Sequence, residues 1–75
     1  MKKLNLKTRV LIAANCLKSN EGINTLKYQE CFDQGDCNEV IAALVMQCQD
    51  DPDLYKGIRK NYGGFPREWI LAAIP

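Results

Sequence analysis

CNEVIAALVMQCQD, residues 37–50, sets Cys37, Val40, Ile41, Leu44, Val45 and Cys48 at the steps of three and four that line one face of an α-helix. A strand would need alternation, and none is present. An apolar face of this kind must be covered by other elements, so residues 37–50 are expected to anchor a helical core. The rest of the chain is read outward from it.

Immediately upstream lies ECFDQGDCNEV, residues 30–40, where Cys31 and Cys37 stand among Glu30, Asp33, Asp36 and Glu39. Asp36 followed three residues later by Glu39 has the form of a reciprocal N-terminal cap, and Gly35 sits where a preceding helix would stop. A calcium loop fails on spacing, because counting from Asp33 puts Gly35, Cys37 and Leu44 where oxygen ligands are required. The chain has no histidine and no C-x-x-C pair, so a zinc site would have to be built from Cys16, Cys31, Cys37 and Cys48 at unsuitable intervals. No metal and no cofactor is expected. The stretch reads as a joint between helices, with the thiols of Cys37 and Cys48 directed inward as small apolar side chains.

Further upstream, Leu6, Val10, Ala13, Ala14 and Leu17 form a helical stripe, giving a first helix over Leu6–Ser19 that ends at Asn20 and Gly22. Leu11 and Ile12 fall off this stripe. That helix is therefore expected to be central to the core or shared with a second copy of the chain. NTLKYQECFDQ fits both a helix and an alternating strand; a helix over Thr25–Gln34 is preferred because no second strand is visible to pair with it.

Downstream, Asp51 followed by Pro52 opens a helix over Pro52–Asn61, with Tyr55, Ile58 and Tyr62 as its inner face and Gly63-Gly64 as its stop. FPREWILAAIP predicts a last short helix, Pro66–Ile74. The expected fold is all-α: one small domain over residues 1–75, a compact irregular bundle of four to five short helices. The third helix is expected to lie centrally against the first, with Phe32, Phe65 and Trp69 filling gaps.

With 75 residues, 47% apolar and 25% charged, the chain has the balance of a folded protein and room for a single core. The N-terminal basic residues precede only the short apolar run VLIAA, so neither a signal peptide nor a membrane span is expected, and a cytoplasmic setting follows. Catalysis is not expected: histidine is absent, the carboxylates cluster at helix starts, and no nucleophile elbow or phosphate-binding glycine loop occurs.

Charge is segregated. Residues 1–18 hold five basic and no acidic side chains, residues 19–53 one basic and eight acidic, and residues 54–75 four basic and one acidic. Such polarity steers encounters with charged partners. The expected function is a small protein-binding regulator, adaptor or inhibitor that occupies a surface of a larger protein through Leu11, Ile12, Tyr62, Phe65, Arg67 and Trp69, since aromatics and arginine dominate binding energy at interfaces. Phage and mobile-element accessory proteins are a frequent setting for chains of this kind. The alternative is a nucleic-acid-binding regulator using Lys2, Lys3, Lys7 and Arg9 on phosphates, with a homodimer through the first helix. A helix-turn-helix is a poor reading, because the segment after Glu68 offers almost nothing to hydrogen-bond a base edge.

Overall fold

The computed structural model describes residues 4–65. Over that range the chain is all-α: α1 (Leu6–Leu17), a 3-10 turn (Gly22–Asn24), α2 (Leu26–Glu30), α3 (Cys37–Asp50) and α4 (Pro52–Tyr62), with no strand among the described residues. The predicted helix over residues 66–74, together with Arg67 and Trp69, lies outside the described residues.

Each helix begins where the sequence supplies an acceptor. Asn5 Oδ1 accepts from the Thr8 amide at 2.8 Å, Thr25 Oγ1 from Tyr28 at 3.2 Å, and Asp51 Oδ1 from Leu54 at 3.2 Å. These bonds satisfy amides that have no partner within the helix. α3 is the exception. Asp36 occupies its N-cap position, but the carboxylate makes no capping bond and turns instead to Arg9. The reciprocal cap expected from Asp36 and Glu39 is replaced by an ion pair. At the other end of the chain, α4 stops at Gly63 in the left-handed conformation (φ 78°), donating its amide to the Arg59 carbonyl.

The core joins Val10, Ala13, Ala14 and Leu17 of α1 to Val40, Ile41 and Leu44 of α3 and Leu54 and Ile58 of α4, with Cys31 beside them. Fully burying each of the larger aliphatic side chains is worth roughly 1.5–3 kcal/mol. The expected stripes of α1 and α3 are therefore largely observed, but α1 is the hub: it packs against α2, α3, α4 and the 3-10 turn. The third helix was expected in that place. Small residues decide the matter, since Ala13, Ala14 and Gly57 present no bulk and let backbones approach. Gly22 goes further: a Cβ there would collide with the Cys16 carbonyl, so the 3-10 turn can seat on α1 only with glycine. The radius of gyration is 11.6 Å, against roughly 11 Å for a folded chain of this length.

Four details depart from the sequence reading. α2 covers Leu26–Glu30 only: the chain tightens after it, the Cys31 and Phe32 amides donating to the Tyr28 and Gln29 carbonyls at 3.1 Å. α1 ends at Leu17, two residues early. On α4, Leu54 is fully buried while Tyr55 is 41% exposed, so the helix is rotated from the predicted face; burying leucine needs no partner for a phenol. Among the thiols, Cys37 is exposed, against the inward placement expected of it, whereas Cys31 is buried. Cys48 is half-buried, and burial raises the pKa of both Cys31 and Cys48. Phe32 and Phe65 pack partly against the core, as expected.

Candidate protein-binding surface

A depression in the described surface lies where α1, α2 and the 31–36 turn meet. Leu4 and Ile12 form one wall, Lys27 and Glu30 of α2 the other, Asp33 and Gln34 the end, and Arg9 and Cys31 the floor; its volume is about 490 Å³. A second depression of about 340 Å³ continues along α1, lined by Ile12, Asn15, Cys16 and Ser19 on one side and Gly22, Thr25 and Lys27 on the other. Ile12 and Lys27 belong to both. The two adjoin there as one trough beside α1, whose 12 residues measure roughly 18 Å at the helical rise.

Its floor is rigid because of Arg9. This side chain is 4% exposed; Nε donates to the Leu4 carbonyl at 3.1 Å, and Nη1 and Nη2 make a two-pronged pair with Asp36 at 2.6 and 2.7 Å. Together with the bond to Cys31, the guanidinium ties the start of α1, the end of α2 and the start of α3 into one unit. The Asp36 carboxylate holds the Arg9 pKa above its ordinary value, so Arg9 stays charged. That charge is satisfied internally. Cys31 donates to the Lys27 carbonyl at 3.3 Å, and burial pushes its thiol up, which suits a packed group and not a nucleophile.

Leu11 on α1 (52%) and Leu4 just ahead of α1 (47%) are exposed. Ile12, next to Leu11, is partly buried against the core and lines both depressions. On the rim, neither Glu30 nor Asp33 has an ion-pair partner among the described residues.

The residues singled out in the sequence separate into three groups. Ile12 lines the trough, whereas Leu11, exposed on α1, lines neither depression. Tyr62 and Phe65 lie elsewhere, half-buried at the end of α4: the Tyr62 hydroxyl donates to the Ser19 carbonyl, and Phe65 tilts against Tyr55 with ring centroids 6.0 Å apart. Arg67 and Trp69 lie outside the described residues. Among the cations assigned to phosphates, Lys2 and Lys3 lie outside the described residues, Lys7 is exposed, and Arg9 is buried in its pair with Asp36, unavailable to a ligand in this arrangement. The trough residues that the sequence reading missed are Leu4, Lys27, Glu30 and Asp33. The three from residues 27–33 carried no readable signal, because only the docking of α2 brings them to α1.

Among the described residues no group of three or more Cys, Asp or Glu is arranged to hold a metal ion, and no helix is long and apolar enough to cross a membrane. Comparison with family models, curated proteins and solved structures returns no match to this chain, so the functional reading rests on the surface just described.

Proposed function

We propose that this chain is a small protein-binding regulator, adaptor or inhibitor that works by seating the α1–α2 face on a larger protein. One observation carries the reading: a trough beside α1, with a floor stiffened by a buried ion pair, adjoins the exposed side chain of Leu4, and Leu11 is exposed on the same helix. Pre-ordered concave apolar surface is what a partner side chain needs, since little ordering cost is left to meet on binding. Four free thiols suit a reducing, cytoplasmic setting.

Affinity capture from the source cells with the full chain, compared with Ile12→Asp and with Met46→Asp on the outer face of α3, tests this. A partner retained by wild type and by Met46→Asp, and lost with Ile12→Asp at unchanged helix content, is the expected result. Equal retention by all three chains would remove the α1–α2 face from consideration. The nucleic-acid alternative loses Arg9 and keeps Lys7 as its one described N-terminal cation, so DNA binding by the full chain is expected to be undetectable even at low salt.

A further inference from the structure

The shape and charge of the trough say what kind of segment fits it. Its walls are helices and a 3-10 turn, whose backbone groups are largely engaged in their own hydrogen bonds. An extended peptide would find no strand edge to pair with, and most of its own amides would go unsatisfied against such walls. A helix brings its backbone already satisfied. It also matches the spacing: the depressions lie on either side of Ile12, and side chains seven residues apart on a ligand helix are roughly 10 Å apart, enough to place one in each.

Charge is uneven along the rim. Arg9 in the floor is neutralised by Asp36, Lys27 stands between the two depressions, and Glu30 and Asp33 flank the Leu4 end with no cation paired to them among the described residues. The Ser19 end offers the hydroxyls of Ser19 and Thr25 and the amide of Asn15, none of them charged. An incoming cation is therefore favoured at the Leu4 end alone.

Building on the binding role assigned above, we propose that the trough receives one amphipathic helix of the partner protein, with apolar anchors in the two depressions and a lysine or arginine beyond them against Glu30 and Asp33.

The test uses the full chain and fluorescein-labelled synthetic helices of about 15 residues, enough to span the trough. Each carries leucine at i, i+4 and i+7 in an alanine-glutamine background, followed by either two lysines or two glutamates. Anisotropy titrations at low salt are expected to give about fivefold tighter binding for the lysine peptide, the size of two partly exposed ion pairs. The preference is expected to vanish in Glu30→Gln/Asp33→Asn, and amide shifts on binding are expected to centre on Leu4, Ile12, Cys16 and Lys27. Equal affinities for the two peptides, no binding of either, or shifts centred elsewhere would overturn the proposal. So would comparable binding of a lysine peptide with proline at its centre, which cannot be helical. Movement of the Ile12 and Cys16 amides in peptide-free Trp69→Ala would assign the trough to the chain's own C-terminal residues and overturn it as well. None of these outcomes depends on the capture experiment, where loss of a partner with Ile12→Asp reports on the binding face whatever the segment that fills it.

Discussion

The Arg9 guanidinium holds three backbone segments at once, through the Leu4 carbonyl, the Cys31 carbonyl and the Asp36 carboxylate. A basic residue in a basic N-terminal stretch reads from sequence as surface charge; its burial follows from a partner 27 residues away. Asp36, for its part, had the local grammar of a cap. The ion pair takes precedence because a buried guanidinium without a counter-charge costs more than an uncapped helix start. Arg9→Met preserves the length of the stem and strands all three acceptors, so its urea midpoint, followed by circular dichroism, is expected to fall well below that of Lys7→Met, an exposed control. Replacing both partners, Arg9→Met with Asp36→Leu, is expected to recover part of the loss, since two apolar groups leave nothing unpaired. Equal midpoints for the two single variants would mean that Arg9 does not hold the segments together.

At the scale of elements, the joint between α1 and α4 is built on Asp51, which caps α4 through Leu54 and accepts from Lys18 Nζ at 2.9 Å, while Asn61 donates to the Lys18 carbonyl at 3.2 Å. The bond from Lys18, followed by that from the Leu54 amide, lowers the Asp51 pKa below its ordinary value. A carboxylate depressed in the folded state stabilises it above the unfolded pKa of about 4, and that contribution is lost as pH falls through the lower folded value. Asp51→Asn keeps a good cap and removes the charge. Thermal midpoints measured from pH 6 down to pH 2 are expected to drop less steeply for Asp51→Asn than for wild type below about pH 4. Parallel curves would show that the Lys18 contact contributes nothing. The capping role of Asp51 and the stop at Gly63 are local events, each satisfied within a few residues of its own helix. They were legible for that reason.

For the molecule as a whole, the thiols report on packing. Cys37 is exposed at the start of α3, Cys16 and Cys48 are half-buried, and Cys31 is 2% exposed against the core. Alkylation of the native protein followed by mass spectrometry is expected to modify Cys37 first and Cys31 last. The rate at Cys31 is expected to be roughly three orders of magnitude lower than at Cys37, because access requires opening of the core. Rapid labelling of Cys31 would mean that α2 detaches independently of the core, and the floor of the trough with it.

What the sequence alone determined is the class of fold and the identity of its core: helical periodicity fixes which side chains share a face, as in Val40, Ile41 and Leu44, and those faces had to be covered. Punctuation by Asp51, Pro52 and Gly63 was equally local. Tertiary structure alone decided which helix is the hub, which of Leu54 and Tyr55 turns inward, and that Arg9 is buried while Leu4 remains exposed beside a trough. Those outcomes depend on residues far apart in the chain, Arg9 with Asp36 and Gly22 with Cys16, whose pairing has no periodic trace and arises only when the helices dock.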